Sequence, residues 1–111
     1  MTFEEYQIAS GKTATYAHTE RGVGFFYPVL GLMGEAGEVA EKFKKLWRDH
    51  DNVLDETAKI EIGKELGDVL WYIAQIAREI GLPLEEVATL NLEKIQSRVV
   101  RGTIHGDGDN R

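Results

Sequence analysis

The sequence predicts an all-α fold: a four-helix, antiparallel, bundle-like single domain. Three observations predict it. Apolar residues recur at helical spacing along most of the 111 residues, no strand-like alternation of useful length occurs, and the segments between the helical stretches are short. This length fits one domain. We therefore expect a single domain over residues 1–111, with a polar, glycine-rich tail from about residue 103.

Start and stop signals divide the chain into four helices. Thr2 and Glu5 form a candidate capping box at the start of helix one, and Pro28 suits the first turn of helix two. Gly81, followed by Pro83, is a natural end for helix three. We expect helices over residues 2–16, 28–48, 56–81 and 84–101, with helices two to four packed as antiparallel neighbours.

Composition excludes several classes of function. The net charge is −6, which argues against a nucleic-acid-binding surface, although a metal ion can still bring nucleotide phosphates to an acidic chain. The absence of cysteine excludes disulfides, thiolate zinc sites and a cysteine nucleophile. No apolar run approaches membrane length, and the first residues lack a signal-peptide pattern. We expect a cytoplasmic protein with neither a nucleic-acid nor a membrane partner.

Two pairs of carboxylates lie on matching helix edges. Because a helix turns about 100° per residue, Glu35 falls on the edge of the apolar stripe of helix two, and Glu38 lies about 60° further out. Glu65 and Asp68 repeat this arrangement on helix three. If the stripes pack together, four carboxylates converge, and they cannot all stay ionised at close range without a cation. Such oxygen ligands suit Mg²⁺ or Mn²⁺.

A solvated surface is the alternative for the same acids. Glutamates three residues apart are common on exposed helices, and Glu41 points toward solvent. Glu38 is also spaced to pair with Lys42 within helix two, as Glu61 is with Lys64 in helix three, outcomes worth a few tenths of a kcal/mol each. The spacing alone leaves both interpretations open.

Cations line one flank of helix four. Asn91, Lys94 and Arg98 share this edge, and an amide with two cations suits phosphates or a sugar. Lys42 and Lys45, on the carboxylate side of helix two, fit the same use. Solvated charges beside a core are the alternative here too.

The segments GEAGEVAEKFKK and KELGDVLWYIAQIA together resemble the MazG-like family of all-α nucleoside triphosphate pyrophosphohydrolases. The family's Glu-x-x-Glu and Glu-x-x-Asp motifs correspond to Glu35, Glu38, Glu65 and Asp68. The closing NLEKIQSRVVRGTIHGDGDNR is also similar to the end of small MazG-like proteins, so that the resemblance covers about residues 31–111.

The resemblance implies hydrolysis of an NTP or dNTP, often a non-standard one, to the monophosphate and pyrophosphate. It implies that Glu35, Glu38, Glu65 and Asp68 bind Mg²⁺, with Mn²⁺ as a possible substitute, and we take Glu38 as the general base. It further implies sugar or phosphate contacts from four residues: Tyr72, Asn91, Lys94 and Arg98. The resemblance also implies that the tail is a flap that closes over the site, so that His105 and Arg111 reach phosphate.

The family also implies a homo-oligomer, either a tight dimer or a dimer of dimers. Trp71 points away from the apolar stripe of helix three, which suggests a subunit interface. Gly31, Gly34 and Gly37 lie away from the stripe of helix two, and we expect a neighbouring subunit or the nucleotide to approach there. Base-reading residues are not assigned, and the following aromatics are candidates for either base stacking or the core: Tyr16, Phe25, Phe26 and Trp47.

Two other functions compete with hydrolysis. One is a non-catalytic helical regulator that binds a nucleotide or a protein. The other is an oligomeric scaffold whose acids are surface charge. Turnover of a triphosphate distinguishes the enzyme from both, and stabilisation by Mg²⁺ and nucleotide distinguishes a binder from a scaffold.

Overall fold

A computed structural model describes residues 1–16, 24 and 26–111, so His18 and Phe25 lie outside the described residues. These residues form the following four α-helices: α1 (Phe3–Gly11), α2 (Phe26–Asp49), α3 (Glu56–Glu79) and α4 (Leu84–Val100). No strand occurs within the described ranges, which confirms the all-α prediction. None of these four helices is both long enough and apolar enough to cross a membrane.

The capping box at the start of α1 is confirmed, but the predicted end of this helix is wrong. The Thr2 hydroxyl accepts from the Glu5 N–H, while the Glu5 carboxylate accepts from the Thr2 N–H. The helix ends at Gly11 instead of Tyr16. Thr13 Oγ1 donates to the Ser10 carbonyl at 2.7 Å, and this side-chain bond competes with continued helix.

Both α3 and α4 end in a Schellman motif, which places each terminal glycine outside its helix. After α3, Gly81 has φ +74°, and the Leu82 N–H donates to the Ala77 carbonyl at 2.8 Å. After α4, Gly102 has φ +67°, and the Thr103 N–H donates to the Arg98 carbonyl at 2.9 Å. The helices therefore stop slightly before their predicted ends at residues 81 and 101.

Helix α3 is the centre of the fold. Helix α2 packs along it most extensively, α1 packs on it as well, and α4 contacts α1 and α3. The helices of the described chain leave no close backbone contact between α2 and α4, so the predicted neighbourhood of helices two to four is wrong for that pair. The physical reason is that α1, not α2, packs beside α4. The core between α1, α3 and α4 includes Ala74, Ala77 and Leu84.

A glutamine of α1 holds the turn between α3 and α4. Gln7 Nε2 donates to the Leu82 carbonyl at 2.9 Å, and Gln7 Oε1 accepts from the Leu84 N–H at 3.0 Å. Pro83, the N-cap residue of α4, makes no side-chain capping bond. Gln7 thus supplies from α1 the cap that α4 lacks locally.

Much apolar surface stays uncovered in the single chain. The radius of gyration is 17.0 Å, against about 13 Å for a compact domain of this length. Some apolar residues at helical spacing on α2, α3 and α4, which form the predicted stripes, are buried: Leu46, Ile62 and Leu84. The following large residues of the same stripes are exposed: Phe43, Leu66, Ile80, Leu92, Ile95 and Val99. The described chain alone therefore leaves much of each predicted apolar stripe exposed.

We predict that Gln7→Met lowers the free energy of unfolding by about 1–3 kcal/mol, because it removes two hydrogen bonds at similar side-chain volume. Gln96→Met is the matched control, since Gln96 is exposed on α4, and its effect should stay within about 0.5 kcal/mol. Urea unfolding measures both variants. Equal losses in the two variants would contradict the role given to Gln7.

Candidate metal centre

Helices α2 and α3 make a close contact at a glycine. A Cβ atom at Gly31 would lie 2.2 Å from Cε1 of Tyr72, a distance that no side chain tolerates, so the tyrosine ring rests directly on the α2 backbone. The expectation that Gly31 is not part of the packing is therefore wrong. Within the described part of the chain, no atom lies within 4 Å of a Cβ placed at Gly34 or Gly37. Of the three glycines of α2 discussed above, only Gly31 is thus explained by a contact among the described residues.

Three of the four predicted acids meet beside this contact. Glu35, Glu65 and Asp68 each offer one carboxylate oxygen, and the three oxygens lie within 4.8 Å of one another. They meet because Glu35 follows Gly31 by one turn on α2, while Asp68 precedes Tyr72 by one turn on α3. Glu38 is exposed and lies outside this three-oxygen group.

The carboxylates of this cluster repel one another, and one lysine offsets part of the repulsion. Burial raises the pKa of Glu35, and the negative charges of Asp68, Glu65 and Glu38 raise it further. Lys42 Nζ lies 3.2 Å from Glu65 Oε1 and 3.5 Å from Glu61 Oε2. These hydrogen bonds, that to Glu65 foremost, raise the pKa of Lys42. Lys42 thus pairs with Glu65 of the cluster, while the negative charge of Glu35 remains unfavourable in the folded protein.

The donor set fits a divalent cation. Three carboxylate oxygens come from two packed helices, and Asp68 remains exposed on the solvent side. Mg²⁺ prefers this kind of site, in which a few carboxylates leave other positions to water and phosphate oxygens. A cation there would also relieve the repulsion that raises the pKa of Glu35.

An aromatic cluster adjoins the acids. Tyr72 lies edge-on to Trp71 at 5.0 Å between ring centroids and 6.4 Å from Tyr27, which in turn stacks on Tyr16 at 4.9 Å. The pKa of Tyr72 is raised by burial, then by a hydrogen bond to Tyr27 and by the nearby charges, including that of Glu35. The ring is therefore in the electrostatic field of the candidate metal centre.

Sequence reasoning missed two tyrosines of this region. Tyr27 belongs to the same edge as Gly31 and Glu35, and the four-residue spacing of these three residues was a usable signal. Tyr6 lies on α1, and its pKa is raised by burial and then by the negative charge of Asp68. No local pattern indicated Tyr6, because its position depends on how α1 packs on α3.

The aromatic predictions have mixed outcomes. Trp71 is half-buried, and its Nε1 donates to Thr13 Oγ1 at 2.8 Å, so the prediction that it is exposed is wrong, while its place in a subunit interface stays a prediction. Its position follows from the segment after α1, which contains Thr13 and lies against that side of α3. Tyr16 is buried, whereas Phe26 is 55% exposed and Trp47 is 75% exposed. A core role within the single chain is therefore wrong for Trp47.

Of the predicted cations, Lys42 reaches the acids at Glu65, whereas Lys45, Lys94 and Arg98 form ion pairs elsewhere. Lys94 and Arg98 form ion pairs with Asp109 of the tail, at 3.3 and 3.2 Å. Lys45 lies 3.6 Å from Glu41. The structure, over its described ranges, gives no ion pair between α4 and the four acids. The remaining predicted contacts are distributed as follows: Asn91 is exposed on α4, and His105 and Arg111 belong to the tail.

Comparison with known proteins decides the family. The MazG nucleotide pyrophosphohydrolase domain matches residues 28–101. The chain belongs to this family. The Gene 37 protein of Mycobacterium phage L5 is 45% identical over 114 residues, a match that spans 100% of both chains. No solved structure matches the chain.

The MazG match includes the acids but not all of their surroundings. It spans all four motif acids and the Gly31–Tyr72 contact. Helix α1, with Tyr6 and Gln7, precedes the matched residues, and the tail from residue 102 follows them. In this MazG-family chain, the segments outside the match are therefore a helix that packs on α3 and α4 and a tail whose Asp109 pairs with the cations of α4.

We predict that Glu35→Gln raises the melting temperature by a few degrees at pH 7 in EDTA, because it removes a charge that the fold destabilises. The native state holds the Glu35 proton to a higher pH than the unfolded chain does. The advantage of the variant should therefore shrink as the pH falls through the raised pKa of Glu35.

Glu93→Gln is the control for this experiment, since Glu93 is an exposed acid of α4. Scanning calorimetry across pH should show little change for it. A wild-type protein as stable as Glu35→Gln at pH 7 would contradict the repulsion inferred for the cluster.

Proposed function

We propose that this protein is a Mg²⁺-dependent nucleoside triphosphate pyrophosphohydrolase, which converts an NTP or dNTP to the monophosphate and pyrophosphate, with Mn²⁺ as a substitute ion. The observation that carries the proposal is the meeting of Glu35, Glu65 and Asp68 within 4.8 Å, in a chain of the MazG family. The sequence predicts a cytoplasmic setting for this activity.

Glu35, Glu65 and Asp68 would hold the ion. When bound, Mg²⁺ neutralises phosphate charge and lowers the pKa of a bound water. Glu38, exposed beside the cluster, is our choice for the general base: it takes a proton from water as the water oxygen attacks the anhydride. The bond between the α-phosphate and the bridging oxygen breaks, and pyrophosphate leaves.

The chain's own side chains supply the rest of the site. Tyr72 is fixed against Gly31 and lies in the field of Glu35, which suits a sugar contact next to the metal. Lys42 already lies at Glu65 and is placed to meet a phosphate when a metal takes over that carboxylate. Further phosphate contacts are proposed for the more distant set: Lys45, Asn91, Lys94, Arg98 and, from the tail, His105 and Arg111.

We further propose that the active form is a homo-oligomer, a dimer or a dimer of dimers. The radius of gyration of 17.0 Å and the exposed apolar stripes support a second copy as the missing layer. On α2, Leu30 is 72% and Met33 is 66% exposed, beside glycines with open surroundings. A partner helix can approach closely over such a surface.

For catalysis, we predict Mg²⁺-dependent pyrophosphate release that Glu38→Gln lowers by about 100-fold or more, because the general base is lost. Asp68→Asn should instead raise the Mg²⁺ concentration needed for half-maximal rate, because a metal ligand is weakened. A panel of NTPs and dNTPs, read out as pyrophosphate released, measures both effects.

Glu93→Gln is again the control and should keep wild-type turnover. Full activity of both Glu38→Gln and Asp68→Asn would show that the assigned site is wrong. Saturable nucleotide binding without turnover of any triphosphate would instead favour the non-catalytic regulator.

For assembly, we predict a solution mass of two or four times 12.5 kDa. Leu30→Glu should shift this mass toward the monomer, because a charge cannot be buried without a partner. Val53→Glu, at an exposed apolar residue of the α2–α3 connection, is the control. Light scattering measures the mass, and a wild-type protein that stays monomeric at high concentration would contradict the proposal.

A further inference from the structure

The tail folds back over the second half of α4 and encloses an arginine. Arg98 is only 7% exposed. Its Nη2 donates to the Asp109 carbonyl at 2.7 Å and lies 3.2 Å from Asp109 Oδ1. Lys94 Nζ lies 3.3 Å from the same oxygen. One carboxylate of the tail therefore binds the two cations that α4 presents.

A second arginine enters the enclosure from the end of the chain. Arg111 Nη1 and Arg98 Nη2 both donate to the Gly108 carbonyl, so the two guanidinium groups are neighbours. Arg101 donates to the Arg111 carbonyl at 2.9 Å. Residues 94–111 contain four Lys and Arg and two Asp side chains, a positive excess in a chain whose net charge is −6. This segment is thus locally positive in an acidic protein.

The enclosure also has unused donors. Arg98 Nε, Arg111 Nε and Thr103 Oγ1 are buried without a hydrogen-bond partner, and the fourth such atom among the described residues, Gln75 Oε1, is in α3. Unpartnered buried donors are rare in folded proteins, and each implies a missing acceptor. Two guanidinium N–H groups and a hydroxyl match a ligand with several acceptor oxygens and negative charge.

Phosphate contacts from Lys94, Arg98 and Arg111 belong to the proposed function. We propose in addition that Asp109 is an intramolecular placeholder among these cations, and that a phosphate oxyanion displaces it. The proposal rests on the proposed function for its ligand: the phosphate chain of the substrate or the released pyrophosphate. The chemistry shared by both is a multiply charged phosphate oxyanion.

The placeholder has the properties that exchange requires. The Asp109 side chain is 81% exposed and belongs to a tail of nine residues after Gly102, so it leaves without disturbing the core. Arg98, by contrast, is fixed in position by the helix α4. Asp109 provides one negative charge, whereas pyrophosphate provides several charges and more oxygens, which can reach the unused Nε donors. The anion therefore gains contacts that the carboxylate does not make.

The test is the binding of inorganic pyrophosphate to the full-length protein in EDTA, measured by calorimetry. Asp109→Asn should tighten binding by about threefold to tenfold, since the competitor loses two partly exposed ion pairs. Asp107→Asn makes the same charge change in the same exposed tail segment and serves as the matched control. It should alter the affinity less than Asp109→Asn does.

A second readout follows the arginine directly. The Nε–H signal of Arg98 in NMR spectra should move downfield on pyrophosphate addition, because an unpartnered donor gains an acceptor. Arg98→Gln should abolish binding. Equal affinities of wild type, Asp109→Asn and Asp107→Asn, or an unmoved Arg98 signal at saturation, would overturn the proposal.

These measurements are independent of catalysis, because EDTA removes divalent metal and pyrophosphate undergoes no turnover. Displacement of Asp109 without nucleotide hydrolysis would retain the oxyanion site and reject the enzyme. Nucleotide hydrolysis together with an unchanged pyrophosphate affinity in Asp109→Asn would retain the enzyme and reject the role of Asp109.

Discussion

The contact of the Tyr72 ring with the backbone of Gly31 sets the distance between α2 and α3, and the candidate centre depends on that distance. Any side chain at residue 31 would push the ring and the helices apart. Glu35 follows the contact by one turn on α2, and Asp68 precedes it by one turn on α3. The same packing that joins the helices therefore forces their carboxylates together.

This arrangement lowers the stability of the fold at the candidate metal centre. The pKa of Glu35 is raised by burial and by three neighbouring carboxylates, so the chain keeps an unfavourable charge where an apolar residue or a lysine would be more stable. The cost is tolerable because the acids project from rigid helix interiors, which keep them in place despite their repulsion. Lys42 offsets part of this repulsion by pairing with Glu65, but it does not pair with Glu35.

Features that depend on neighbouring residues in sequence could be predicted. The helical period gives the faces of α2 and α3, which is why the spacing of Glu35, Glu65 and Asp68 indicated a shared edge, and the capping box at Thr2 is local as well. Features that depend on helix pairing could not. The bond of Gln7 to the α3–α4 turn joins residues 75 or more apart in sequence.

The remaining differences between prediction and structure concern which residues pair with one another. Lys42 had an acid within its own helix, Glu38, yet it pairs with Glu61 and Glu65 across the interface, because α3 packs closely on that side. Trp71 was expected to be exposed and to suit a subunit interface, because the position of the segment after α1 was unknown. Asp109 had no pattern of its own, since its role comes from a tail that folds back on α4.

The central claim is that Glu35, Glu65 and Asp68 are ligands of one divalent cation, and paramagnetic NMR with Mn²⁺ tests it most directly. Substoichiometric Mn²⁺ should first broaden the signals of residues around 35, 65 and 68, and excess Mg²⁺ should restore them. Signals of α4 around Lys94 should broaden later. Uniform broadening over the acidic surface, or broadening that Mg²⁺ does not reverse, would contradict the account.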